Sequence, residues 1–362
     1  MLNLRKNGAL KLGIIGTAKN TGKTTTLAAL LSKAHMQNIS VAVTSIGYDG
    51  ESIDNLTLLP KPRLDVHPGM IVATADSCIK GSNVRYEVLE DARENTSLGK
   101  IQIIRILSEG RLILAGPNNT DAVICILELL EKHASLVFID GALGRMVPMS
   151  AADAVIFATG ASRSTNIRHL ASEMKAIEDI FHLGKGWENE NFPERPDNIT
   201  LMKDNGEKKD LGFSSLLNRE SGEILWSEWP ANLKTVVIPG AVSHHILDVL
   251  TEKAGASVKD AAFVFHSPAT LLASGKPLLM QKSIHGLLDR GAGIGYIHPL
   301  PILGVTINPF YPRSVGRRGV FEAAYVDAEE LRRQFSLQLD LPVYNIIEDG
   351  PDELFSILKN PG

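Results

Sequence analysis

Short apolar runs rich in Ile, Val and Leu alternate along the chain with stretches of helical spacing, a rhythm that predicts parallel strands covered by helices. Residues 12–15 open the series. Leu27, Leu30, Leu31 and Ala34 then recur at helical spacing on a helix expected over 23–36. Further strands are predicted at 39–44, 70–73, 111–114, 136–139 and 154–158. Leu170, Met174, Ile177 and Phe181 mark an amphipathic helix after the last of these, with Ser162 or Ser164 as its cap. From 184 to 223 the pattern dissolves into Asn, Asp, Glu, Lys and Pro. Beyond it, strands are expected at 235–238, 262–265, 302–307 and 343–346, and helices at 243–252 and 328–334. Trp226 and Trp229 are expected to anchor the start of this second half against its own core.

Composition narrows the class. The 362 residues allow two domains, and 44% hydrophobic with 22% charged side chains excludes disordered, collagenous and coiled chains. A formal charge of -4 argues against nucleic acid or an anionic membrane surface as partner. Cys78 and Cys125 are the two cysteines, without zinc-ligand spacing, which predicts a reduced, cytoplasmic setting. No apolar run reaches the roughly 18 residues of a membrane span, and no signal peptide is expected.

The chemistry concentrates in 13–26, GIIGTAKNTGKTTT, between the first strand and the first helix. Polyphosphate is held at lowest cost by backbone N–H groups at a helix N-terminus. Thr17, Ala18, Lys19, Asn20, Thr21, Gly22, Lys23, Thr24 and Thr25 are the candidate nucleotide-binding residues. Lys23 would reach the β and γ phosphates, Thr24 would ligate Mg²⁺, and Thr25 would bond the α phosphate. Thr17 stands where the motif G-x-x-x-x-G-K-[ST] has its first glycine. Lys19 supplies a second cation for the transferred group, in its own subunit or across a homo-oligomer. The division that follows is a P-loop nucleotide-binding domain over 1–185, a polar linker or insertion over 186–230, and a smaller α/β domain over 231–362.

A phosphate loop needs an acidic Mg²⁺ partner at a neighbouring strand end. Asp140, which closes the run 136–139 and precedes Gly141, is the leading candidate, the alternative being a turn cap. Asp49 and Glu51 lie in SIGYDGESID after the second strand, where Asp49 would touch Mg²⁺ or orient the attacking water, or else belong to an acidic turn. No Asn-Lys-x-Asp occurs, which favours ATP over GTP. His244 and His245 read as a helix cap or surface pair rather than a metal site, and Arg313, Arg317 and Arg318 as a basic turn or a phosphate loop.

The loop at 16–26 resembles that of dethiobiotin synthetase, and DGALGRMVP at 140–148 is similar to that enzyme's Glu-Gly-Ala-Gly-Gly run. The loop also resembles that of dimerising ATPases, whose additional lysine lies one position nearer the loop start than Lys19. Together with TSIGYDGESID at 44–54, LPKPR at 59–63 and IVATA at 71–75, the chain resembles the P-loop subunit of the reactivase of adenosylcobalamin-dependent lysine and ornithine aminomutases. That resemblance implies an ATP- and Mg²⁺-dependent ATPase that exchanges damaged cobalamin, with an aminomutase and a second reactivase subunit as partners. An ATP-dependent synthetase acting on a small carboxylate, and a nucleotide-binding regulator without hydrolysis, are the alternatives.

Overall fold

Leu10–Gly16 form the first strand, β1, and every position except Lys11 is buried, as expected of a strand covered on both faces. The computed structural model describes residues 8–47, 63–184, 196–254, 258–273, 275–316 and 320–359. They form two compact units, Met1–Ala171 with Ile302–Gly362, and Ser172–Pro301.

In the first unit β1 leads into α1 (Lys23–Met36), whose bounds match the predicted helix and whose buried stripe contains Leu27, Leu30, Leu31 and Ala34. There follow β2 (Val41–Ser45), β3 (Leu64–Val66), β4 (Ile71–Ala75) and α2 (Asp76–Lys80). Next come β5 (Tyr86–Thr96), β6 (Gly99–Ile106), β7 (Gly110–Leu112) and α3 (Thr120–Leu130), then β8 (Leu136–Ala142) and β9 (Ala154–Gly160). The boundary between the units falls within α4 (Ile167–His182). Asn166, and not Ser162 or Ser164, caps this helix, its Oδ1 accepting the His169 N–H at 3.1 Å.

The second unit carries β10 (Thr200–Lys203), β11 (Lys208–Asp210), α5 (Arg219–Ser227), β12 (Leu233–Ile238), α6 (His244–Ala254), β13 (Ala262–Phe265), α7 (Pro268–Leu271), α8 (Pro277–Leu288) and β14 (Gly293–Tyr296). Its sheet runs β11-β10-β12-β13-β14, with β12, β13 and β14 parallel. Phe263 and Phe265 are fully buried there, and Trp229 packs on Phe263 with ring centroids 6.0 Å apart.

The chain then returns to the first unit as β15 (Ile302–Asn308), β16 (Phe310–Ser314), β17 (Phe321–Tyr325), α9 (Ala328–Gln338), β18 (Val343–Tyr344), α10 (Ile346–Asp349) and α11 (Asp352–Lys359). Nine strands make one sheet in the order β18-β15-β9-β1-β8-β2-β4-β6-β5. The seven from β18 to β4 are parallel, and β6 and β5 add an antiparallel edge. The fold is thus α/β, with a large, mostly parallel sheet flanked by helices and additional smaller sheets. Acidic Glu87, Glu90, Asp91 and Glu94 on β5 discourage further pairing at that edge.

This division differs from the expected boundaries at 185 and 231. Ile302 pairs opposite Val155 and Asn308 opposite Gly160, so β15 and β18 extend the first sheet and Ile302–Gly362 groups with the first unit. The stretch 196–230, expected as linker, supplies β10, β11 and α5 to the second unit. Its charged side chains occupy solvent faces, as in β11, where every residue is exposed. Among the described residues no helix is long and apolar enough to cross a membrane.

Candidate functional site

The carboxyl ends of β1, β8 and β2 lie side by side, and ligands of open α/β sheets gather at such an edge. Between β1 and α1 the chain must reverse within six residues, and it does so with Asn20 at φ 61° and Gly22 at φ 90°. Gly22 is the N-cap of α1. No side chain caps this helix and its first turn has no acidic residue, so the turn presents backbone N–H groups and the positive end of the helix dipole.

Thr17 departs from the glycine of the motif without strain, because its φ is not positive. It is buried, donates its backbone N–H to Ala158 O at 3.0 Å, and its Oγ1 donates to Thr159 Oγ1 at 2.8 Å. Its side chain is therefore spent on β9. Thr21, also buried, donates through Oγ1 to Ala18 O at 2.9 Å, which bends the loop. Lys19 and Thr25 are exposed, and Thr24 is half-buried at the start of α1. Lys23 Nζ lies 2.9 Å from Asp140 Oδ2, and both side chains are about one quarter exposed, at 25% and 22%. The other carboxylate oxygen, Asp140 Oδ1, is buried with no hydrogen-bond partner. An orphaned carboxylate oxygen sharing a cavity with the Thr24 hydroxyl at a helix N-terminus is a donor set suited to a hard cation such as Mg²⁺.

These residues line one cavity of about 590 Å³. It brings together all nine candidate loop residues and Asp140. Asp49 and Glu51 lie outside the described residues, as does most of 44–54. Gly47, expected from the sequence to lend freedom to the segment bearing Asp49, lines the same cavity, and three further participants were not singled out from the sequence: Arg145, Asn308 and Phe310. Asn308, at the end of β15, donates through Nδ2 to Asn20 O at 3.0 Å and so ties the loop to a strand 288 residues away. An arginine five residues past Asp140 was the local signal for Arg145.

The weaker candidates fall elsewhere. His244 and His245 stack with centroids 5.0 Å apart, and His244 Nδ1 is buried without a partner. Burial, followed by the neighbouring His245, pushes the His244 imidazole below its ordinary pKa. Arg313 pairs with Glu322 across the β16–β17 hairpin, whereas Arg317 and Arg318 lie outside the described residues. Among the described residues no group of three or more His, Cys, Asp or Glu could hold a metal ion.

No protein family and no curated protein matches the chain. It aligns with a solved structure of pNOB8 ParA bound to nonspecific DNA at 11% identity and a TM-score of 0.25, covering 78% of this chain and 98% of that one. A solved structure of pNOB8 ParA aligns over the same shares at 11% identity and a TM-score of 0.26. Both are structures of ParA. They give no support to a reactivase, an aminomutase or a second reactivase subunit. The exclusion of nucleic acid is also corrected, since one neighbour is itself a DNA complex. A net charge summed over the whole chain does not report on a local basic patch, which is what phosphate backbones contact.

Proposed function

We propose that the first unit binds ATP and Mg²⁺ on its phosphate loop and hydrolyses the nucleotide to ADP and phosphate. The observation that carries this reading is the Lys23–Asp140 pair beside the uncapped start of α1, with one carboxylate oxygen buried and unpartnered. Phosphate oxygens would satisfy the N–H groups of the first helical turn. Lys23 exchanges its carboxylate for the β and γ phosphates, while the Thr24 hydroxyl and Asp140 hold Mg²⁺. When bound, Mg²⁺ offsets charge on those phosphates. Thr25 bonds the α phosphate, Lys19 provides a second cation, and Asp49 orients water or joins the metal. Water oxygen bonds to the γ phosphorus as the bond to the β,γ-bridging oxygen breaks, leaving ADP, phosphate and a proton released to solvent.

The same cavity has an apolar side, Leu64, Leu112, Ile113 and Leu114, that a triphosphate does not require. It favours, as a second reading, a synthetase that transfers the γ-phosphoryl group to a small carboxylate.

Calorimetric titration of the full chain with ATP, ADP and GTP in the presence of Mg²⁺, combined with phosphate release, tests the assignment. ATP binding is expected, lost by about tenfold or more in Lys23→Ala with an unchanged melting temperature, the scale of one charge-assisted phosphate contact. Equal affinity in wild type and Lys23→Ala removes the loop from nucleotide binding. Release of phosphate stimulated by short carboxylic acids selects the synthetase.

A further inference from the structure

A single 3₁₀ turn, Leu143–Arg145, follows β8, and it returns Arg145 to the cavity that Asp140 lines. The guanidinium rests against Gly47, the residue at which β2 gives way to the segment bearing Asp49. A Cβ placed on Gly47 would stand 2.6 Å from Arg145 Nη1 and 3.3 Å from Arg145 Cδ, and it would collide with Asn118 Oδ1. Gly47 is held there, at φ 71°, by its N–H donating to Pro117 O at 2.8 Å. Any side chain at this position would displace the guanidinium.

The strand order β1-β8-β2 sets out the groups at the carboxyl edge in a line. The phosphate loop follows β1, Asp140 is on β8, and Ser45 on β2 pairs opposite Asp140. The Ile46 N–H donates to Asp140 O at 2.8 Å, which brings Gly47 and Arg145 to the side of Asp140 away from the loop. A phosphate chain that starts on the amides of α1 and passes Lys23 reaches that side with its terminal group. Lys19, by contrast, is exposed in the loop itself. A planar guanidinium can bond two oxygens of one phosphoryl group, and it carries its charge at every physiological pH.

We infer that Arg145 is a catalytic residue that binds the γ-phosphoryl oxygens of the nucleotide and stabilises the charge that develops as the β,γ-bridging bond breaks. This rests on the phosphate-loop reading above. Arg145 transfers no proton; it distinguishes three phosphates from two and supplies from within the chain the cation that other phosphate-loop enzymes take from a partner.

The test measures affinity for ADP and for a non-hydrolysable ATP analogue, both with Mg²⁺, together with single-turnover phosphate release from ATP. It uses the full chain as wild type, Arg145→Ala and Arg145→Lys. Expected are unchanged ADP affinity in all three, an analogue affinity about tenfold or more weaker in Arg145→Ala, and a hydrolysis rate lower by about 10³, the scale of an arginine acting on a transferring phosphoryl group. Arg145→Lys should regain analogue affinity without regaining the rate. Equal losses for ADP and the analogue would mean that Arg145 only shapes the pocket and would overturn the proposal. Unchanged analogue affinity and rate in Arg145→Ala would do so too. Wild-type protein that binds neither nucleotide would overturn the phosphate-loop reading itself, and this proposal with it.

Discussion

The ammonium of Lys23, the first residue of α1, rests on the carboxylate of Asp140 near the end of β8, Nζ to Oδ2 at 2.9 Å. Such a partly exposed pair is worth only about 0–1 kcal/mol, so it can be exchanged for phosphate at little cost. In this state the lysine is held beside the site, and the second carboxylate oxygen is left without a partner.

Asp140→Asn should therefore separate binding from chemistry. Without the competing carboxylate, ATP should bind at least as tightly as to wild type when Mg²⁺ is chelated. Hydrolysis in Mg²⁺ should fall by about 10² or more, the scale of one lost transition-state charge contact. Calorimetry in chelator and phosphate release in Mg²⁺ are the measurements, and an unaltered rate would remove Asp140 from the site.

Gly22→Ala forces a side chain into φ 90° and sets a Cβ 3.3 Å from Asn308 Cβ. The left-handed conformation costs about 1–2 kcal/mol for an L residue with a Cβ. A fall in melting temperature of roughly 2–8 °C is expected, together with weaker nucleotide binding, because the amides of α1 shift with their cap. A variant that melts with wild type would show that the loop adopts a different cap.

A chain ended at Pro301 should fail to fold its first unit cooperatively. It lacks β15, which pairs along β9, and Thr306, whose Oγ1 meets Thr26 Oγ1 of α1 at 2.9 Å. It also lacks Leu354, Phe355 and Leu358, which are buried in the same core cluster as Leu27 and Leu30. Burying each such side chain contributes about 1.5–3 kcal/mol. Calorimetric unfolding and nucleotide binding of the truncated chain check this, and retained binding would restore an independent C-terminal domain.

His244 predicts a pH dependence for the second unit. Its folded pKa is lowered, first by burial and then by His245. The unfolded chain therefore takes up the proton first, near the ordinary value of about 6.5. Stability is fully present above that pH and declines as pH falls through the depressed folded value. Denaturant melts between pH 7.5 and 5 should lose less stability in His244→Gln than in wild type, and parallel curves would assign the pH dependence to other groups.

Much of the candidate site was legible because its chemistry is local. A glycine, a lysine and a threonine between an apolar strand and an amphipathic helix suffice to predict a loop of backbone amides, whatever the remainder of the chain does. Asp140 was legible for a similar reason, as a carboxylate closing an apolar run. Arg145 was not, since nothing within the turn 143–145 indicates that its side chain will lie on Gly47, 98 positions earlier in the chain. The β5–β6 hairpin escaped the apolar pattern because its outer strand is mostly exposed and charged.

Sequence alone determined α1, α4, α6 and α9, the apolar strands β1, β2, β4, β8, β9, β12, β13 and β15, and the candidate loop between β1 and α1, since helix stripes, buried strands and turn conformations follow from side-chain periodicity and backbone sterics over a dozen residues. Tertiary structure decided which strands are neighbours. Pairing β15 with β9 brought residues 302–362 into the first unit and Asn308 onto the loop, while placing β8 between β1 and β2 aligned Lys23, Asp140 and Arg145 along one edge. Those choices depend on burying apolar faces against partners 95 or more residues away, a long-range balance that no local pattern contains.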